Sequence, residues 1–176
     1  MKLVLGVSGS IGAYKAVDIM RVFQMNDHAV TVVMTWAATQ IIAPLTFATF
    51  APGKVFYDMF AEKQDPLLHI NLSKENDLLL VAPATANMIA KMANGIADDL
   101  LSTLFCAFYK KVVLAPAMNS HMLENPAVQE NIDRLKNRGI EIIEPAEGVL
   151  ANRETGKGRL PAPEAIYRRC IEFAGV

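Results

Sequence analysis

Five apolar runs punctuate the chain: "LVLGV" (3–7), "AVTVVM" (29–34), "DLLLVAP" (77–83), "KVVLAP" (111–116) and a weaker "IEIIEP" (140–145). Each is rich in Val, Ile and Leu without clean two-residue alternation, the pattern of strands covered on both faces. Between them the apolar positions fall at helical spacing, over 11–25, 36–50, 85–94, 98–108 and 126–138. Asn125-Pro126 offers a capping side chain followed by proline in the first turn, and Gly139 stands where that helix would end. Strand alternating with helix predicts one α/β domain over 1–176, a parallel sheet between two helical layers joined by right-handed crossovers. In such sheets ligands bind beyond the carboxyl ends of the strands. The residues that follow each run are therefore the first candidates for function.

Composition narrows the class. The 176 residues suit one domain with a sizeable core, and 52% of them are apolar. That surplus points to subunit interfaces as well as to a large core. Seventeen basic and eighteen acidic residues leave a net charge of −1, with no long run of either sign. Nucleic acid and anionic membrane are thereby set aside as the main partner. "KLVLGV" is too short for a signal peptide, and no apolar run approaches the roughly 18 residues that cross a bilayer. Cys106 and Cys170 are too few and too far apart for a C-x-x-C pair or a disulfide framework. A reduced, cytoplasmic, soluble protein is expected.

The first strand end reads "GVSGSIGAYK" (6–15). Glycines let backbone N–H groups approach an anion, Ser8 and Ser10 can donate hydroxyls, and the following helix turns its positive end inward. An ordinary tight turn closing a β-α unit is the alternative. The spacing is G-x-x-G-x-x-G, neither the dinucleotide G-x-G-x-x-G nor a P-loop. Strand two ends "VMTWAAT" (33–39), with Thr35 and Thr39 and no carboxylate to hold an adenosine ribose. Hydroxyls there suit a mononucleotide phosphate or a ribityl chain, so FMN is favoured over NAD. "GVSGS" also fails the last position of G-x-S-x-G, which removes a serine hydrolase.

Beyond the third strand comes "APATANMIAKMANGIADDLLST" (82–103), where Thr85 and Asn87 either face a ligand or cap a helix. Asp98 and Asp99 read as capping residues for the next helix, not as a catalytic pair. "VVLAPAMNSHMLENP" (112–126) places the amide of Asn119 where the chain leaves the fourth strand. A turn alone would be served by Gly or Asp. Of the three histidines, His28 lies beside Asp27 in a polar turn and is expected to be solvated. His121 has no second histidine at ligand spacing, and no metal site is expected. His69, in "DPLLHINLSKEND" just before a buried strand, is either a satisfied half-buried ring or a catalytic base.

Together, "GVSGSIGAYK", "VVMTWAA", a histidine before "APATANMIAKMANGIADDLLST", and "PAMNSHM" resemble the flavin-dependent cysteine decarboxylases over nearly the whole chain. That family includes the flavin domain of bacterial phosphopantothenoylcysteine decarboxylase/synthetase, the plant halotolerance-type decarboxylases, and lantibiotic enzymes that decarboxylate a C-terminal peptidyl cysteine. The resemblance implies a Rossmann-like (flavodoxin-like) fold assembled as homotrimers or dodecamers of trimers, with FMN between subunits. It implies FMN contacts from Ser8, Gly9, Ser10, Ile11, Thr35, Ala84, Thr85, Ala86, Asn87 and Met88. His69 is implied as the base, and Asn119 as the group that holds the substrate carboxylate. Met118, Asn152, Gly158 and Arg159 are implied to meet the substrate.

The implied chemistry is oxidation of the cysteine thiol to a thioaldehyde, then loss of CO2 to leave an enethiolate. The coenzyme A branch reduces that enethiol, whereas the peptide branch releases it. In one respect the chain departs from the coenzyme A branch. The flap "GVLANRETGKGRLP" (148–161) keeps Gly156, Gly158 and Arg159 but carries Asn152 and Arg153 where a cysteine and a glycine are expected. Asn cannot replace a thiol as an acid. Leu123 also stands for the expected tryptophan. No synthetase domain follows Val176, so a stand-alone enzyme or an excised domain is expected. Phosphopantothenoylcysteine or a close relative is the favoured substrate, with a peptidyl cysteine next. A non-catalytic FMN-binding regulatory protein is the alternative of another class. A flavin prenyltransferase shares the fold but not the His69 and P-A-M-N pattern.

Overall fold

The computed structural model describes residues 1–62 and 64–176. Its main sheet has six strands, all parallel: β1 (Lys2–Val7), β2 (Ala29–Met34), β3 (Val55–Phe56), β4 (Leu78–Ala84), β5 (Lys111–Pro116) and β6 (Glu141–Ile142). They lie in the order β3-β2-β1-β4-β5-β6. The chain runs outward from β1 through β2 to β3, then returns to the other side of β1 as β4. The strand order therefore reverses between β1 and β4, and a crevice opens there at their carboxyl ends.

The unbroken apolar runs follow from this arrangement. Leu3, Leu5 and Val7 of β1 pack into one core, and Val4 faces the opposite one; β4 divides Leu78 and Leu80 from Leu79 and Val81 in the same way. The first core is closed by α1 (Ala16–Met25) and α9 (Pro163–Ala174), through Ile19, Met20 and Phe23 of one and Ile166 and Cys170 of the other. The second is closed by α4 (Leu68–Glu75), α5 (Ala86–Asn94), α6 (Leu100–Ala107) and α8 (Pro126–Asn137). Each large aliphatic side chain buried this way contributes about 1.5–3 kcal/mol. Burial on both faces is why no strand shows alternation.

Local chemistry sets the ends of these helices. Asn125 accepts the N–H of Ala127 at 3.0 Å ahead of Pro126, and Gly139 takes φ +81° just past α8. Asp99 caps α6 in a reciprocal pair with Ser102, while Asp98 binds Lys91 at 2.6 Å. Asp99 caps the helix as expected, whereas Asp98 is not the cap and pairs with Lys91 of the preceding helix. The helix expected over 36–50 is instead two short ones, α2 (Trp36–Thr39) and α3 (Pro44–Ala48). Pro44 forces the preceding residue out of the helical region, and Ala43 has ψ 137°.

His28 also corrects an expectation. It is half-buried, its Nδ1 lies 3.0 Å from the N-terminal ammonium of Met1, and its ring meets the edges of Phe23 and Tyr167. Burial, then the nearby ammonium, hold its pKa below the ordinary imidazole value. One of these partners, Tyr167, comes from α9 and lies 139 residues away in sequence.

Candidate functional site

Four segments meet at the crevice. After β1 the chain turns through Ser8–Ser10 into a 3-10 helix, Ile11–Lys15, that leads into α1. Ser8 is buried; its hydroxyl donates to the Pro83 carbonyl at 2.8 Å and accepts the Thr85 N–H at 2.9 Å. One side chain thus ties the loop after β1 to the loop after β4 across the switch point. Gly9 is required by the next element, because a Cβ there would lie 2.5 Å from Ala37 of α2. Among the described residues, the N–H groups of Gly9 and Ile11 have no hydrogen-bond partner. They are donors left at the start of a helix, where an anion is favoured.

Thr35 caps α2 through its hydroxyl, and Thr85 caps α5. Thr39 donates to the Trp36 carbonyl at 2.7 Å. After β5 the chain passes Ala117 and Met118 to Asn119, which caps the short α7 (Ser120–Glu124). The Asn119 Oδ1 accepts the His121 N–H at 2.9 Å. Because the partner is an N–H, the amide oxygen is fixed as the bonded end. The NH2 group, with its two donors, makes no hydrogen bond among the described residues.

A two-stranded hairpin, β7 (Ala146–Val149) and β8 (Thr155–Arg159), covers the crevice. It docks on the β5 loop backbone to backbone, with the Met118 N–H donating to the Gly158 carbonyl at 3.0 Å. Gly158 has φ +155°, and any Cβ there would collide with the Met118 carbonyl oxygen. On the other side Lys157 binds Glu144 at 2.6 Å, and that bond holds the Glu144 carboxyl below its usual range. At the tip, the Asn152 amide donates to the Glu154 carboxylate at 2.6 Å, and Arg153 takes a left-handed φ of +68°.

Beneath the hairpin lies a cavity of about 550 Å³. Of the residues singled out from the sequence, Gly9, Ser10, Ile11, Thr85, Ala86, Met118, Asn119, Asn152, Gly158 and Arg159 line it. Ser8, Thr35, Ala84 and Met88 are buried behind the wall, and the Met88 side chain belongs to the second core. Asn87 is exposed. His69, half-buried on α4, is not among the described residues of this wall. Lys15 and Tyr14, which sequence reasoning did not single out, do line it. The signal for Lys15 was its place in "GVSGSIGAYK", a cation where a helix begins.

The wall carries two cations, Lys15 and Arg159, and no carboxylate among the described residues, so the cavity favours anions. Its apolar part comes from Ile11, Met118, Met122 and Leu150. Neither cysteine reaches it. Cys106 is exposed on α6, and burial pushes the Cys170 thiol up to about 12. No group of His, Cys, Asp or Glu among the described residues could hold a metal ion.

A family model described as Flavoprotein matches residues 1–175. The chain belongs to the flavoprotein family. Among similar proteins, the coenzyme A biosynthesis bifunctional protein CoaBC of Bacillus subtilis (strain 168) is 44% identical over 167 residues. That match covers 94% of this chain and 41% of CoaBC, so the chain spans about two fifths of this relative. A solved FMN-dependent cysteine decarboxylase, SpaF, is 30% identical, with a TM-score of 0.86 over 100% of this chain and 98% of its own. A PPC decarboxylase variant complexed with pantothenoylaminoethenethiol is 29% identical, with a TM-score of 0.87 over 99% and 98% of the two chains. The family thus includes flavin-dependent cysteine decarboxylases, and its Rossmann-like, flavodoxin-like sheet is the one described above.

Proposed function

We propose that this chain is an FMN-dependent decarboxylase of a cysteine-derived thiol carboxylate, acting on phosphopantothenoylcysteine in coenzyme A biosynthesis. The observation that carries it is the orientation of Asn119. Its oxygen is turned to the His121 N–H, which places the NH2 donors at the other end of the amide, on a side chain that lines the cavity. Such a group binds a carboxylate without neutralising its charge, as an arginine would, and leaves it free to depart as CO2. The similarity to CoaBC and to PPC decarboxylase supports the same substrate.

The wall fits FMN. The unpartnered N–H groups of Gly9 and Ile11 and the Ser10 hydroxyl suit the phosphate, Thr85 the ribityl chain, and Ile11 with Met118 the flat ring. Bound flavin supplies the two-electron oxidant for the thiol-bearing carbon. His69 takes the thiol proton, which makes the sulfur electron-rich as the carbon beside it is oxidised. Asn119 holds the carboxylate while the thioaldehyde β to it accepts the electrons released with CO2. The docked hairpin keeps water from the enethiolate that results.

His69 does not line the cavity of its own chain, so a second copy must bring it. Around α4 and in the β2–β3 connection the surface exposes Trp36 (73%), Leu45, Phe60 (85%) and Leu67, large apolar side chains of the kind a subunit contact covers. A cytoplasmic homotrimer, or a dodecamer of trimers, with the base contributed across the interface, follows from this reading. The test is complementation. His69→Asn and Asn119→Asp subunits, each inactive alone, should regain partial activity when refolded together. No recovery, or a monomer by light scattering, overturns the shared site.

A second reading is favoured by the hairpin tip. No thiol lines the cavity among the described residues, and the Asn152 amide is tied to Glu154. An enzyme that cannot protonate the enethiol for reduction would release it, as a peptidyl-cysteine decarboxylase does.

A further inference from the structure

We infer that Gly148 is a positioning residue: its bare Cα seats the Arg159 guanidinium, which a bulge at Gly158 turns to the cavity to meet an anionic group of the ligand. This rests on the decarboxylase function above and deepens it.

β8 ends Lys157-Gly158-Arg159, and in a regular strand residues two apart share a face. Here they do not. Glu147 of β7 stands opposite Lys157, and its neighbour Ala146 stands opposite Arg159, so Gly158 is an extra residue in the ladder, a β-bulge. Adjacent residues of β7 face opposite ways, and the bulge passes that alternation on to the two cations. Lys157 turns outward to Glu144 and lines a separate cavity of about 350 Å³. Arg159 lines the cavity beneath the hairpin, at its exposed rim.

Gly148 lies two residues along β7 from Ala146, on the face that the Arg159 side chain crosses. A Cβ at Gly148 would lie 2.5 Å from Nη1 of Arg159, 3.2 Å from its Cδ and 3.5 Å from its Cζ. The three nearest atoms all belong to that one side chain. What the missing methyl protects is therefore the course of the arginine, not the packing of the hairpin. The φ of +152° at Gly148 adds a backbone cost to any side chain there, and that cost is independent of Arg159.

Among the described residues no carboxylate lies within ion-pair distance of Arg159, and none lines its cavity. A guanidinium fixed in direction and left without an internal partner suits a carboxylate or phosphate, which it takes through two parallel N–H bonds. Such a contact depends on direction, so displacing the side chain should weaken it. The anion is carried either by the substrate or by the flavin.

The test is a double-mutant cycle on the FMN-loaded protein: wild type, Gly148→Ala, Arg159→Ala and the two together. KM and kcat for phosphopantothenoylcysteine, FMN affinity and melting temperature are measured in each. Arg159→Ala should raise KM about tenfold or more with little change in kcat. Gly148→Ala should reproduce most of that rise, yet add less than about twofold to Arg159→Ala, because the side chain it displaces is gone. If the loss falls on FMN affinity instead of KM, the same non-additivity supports the seat and assigns the anion to the cofactor. An equal effect of Gly148→Ala in both backgrounds reduces it to backbone strain and overturns the proposal. So does an Arg159→Ala protein with unchanged KM and FMN affinity. If the flavin-loaded wild type turns over no substrate, the decarboxylase function fails. The cycle is then read from FMN titration and from calorimetry with phosphopantothenate. Non-additive loss in either supports the seat, and additive loss, or none from Arg159→Ala, overturns it.

Discussion

The Asn119 amide oxygen accepts the His121 N–H at 2.9 Å, and that bond decides which end of the amide a ligand meets. Capping and recognition are thus performed by opposite ends of one side chain. Asn119→Asp separates them. Aspartate caps a helix as well as asparagine, so the melting temperature should hold. A carboxylate facing the substrate carboxylate should lower kcat/KM about a hundredfold or more. Steady-state kinetics beside a thermal melt checks both.

Ser8→Ala should act on fold and site together. It leaves the Thr85 N–H without its buried partner and the Pro83 carbonyl with only the Ser8 N–H at 3.3 Å, at about 1–3 kcal/mol. The loops after β1 and β4 then lose their side-chain link, and flavin retained through purification should fall. Chemical denaturation and the flavin-to-protein absorbance ratio are the two readouts.

Gly158→Ala should undock the hairpin, because its Cβ meets the Met118 carbonyl and its φ of +155° excludes other residues. The core lies elsewhere and should stay folded. Proteolysis within 150–154 should accelerate and the substrate KM should rise, with little change in bound flavin.

His28 gives the fold a pH dependence. Its folded pKa is lowered by burial and by the N-terminal ammonium, so the folded state disfavours the charged ring. Above the unfolded value of about 6.5 the ring is neutral in both states and costs nothing. As the pH falls below that value, the unfolded chain takes up the proton first and stability drops, until the folded pKa is passed. Melting temperatures from pH 7.5 downward should show this decline, and His28→Gln should flatten it.

The sheet was legible because burial on both faces writes a strand as an unbroken apolar run, and β1, β2, β4 and β5 all follow that rule. Asn125-Pro126 and Asp99 announced their helices by capping chemistry alone. What was missed has tertiary causes, with one exception. The hairpin strands "AEGV" and "TGKGR" alternate in burial but not in hydrophobicity, since the inward positions of β8 are Gly156 and Gly158, and Gly158 makes its contact with backbone. The helix α4 around His69 is short and largely polar, and its apolar contacts come from distant elements. The exception is α9, where Pro163, Glu164, the Ile166/Cys170 spacing and Gly175 were all readable. In the site, ten of the residues that the motifs singled out line the cavity. The motifs could not tell that Ser8 spends its hydroxyl on Pro83 or that Met88 turns into the core, because both depend on how two loops meet.

Mass spectrometry of the product formed from phosphopantothenoylcysteine by the FMN-loaded protein tests the proposed function most directly. Loss of CO2 is expected, alone if the enethiol is reduced, or with two further hydrogens if it is released. Substrate recovered unchanged from protein that holds its flavin, with cysteine-ended peptides also untouched, would contradict it.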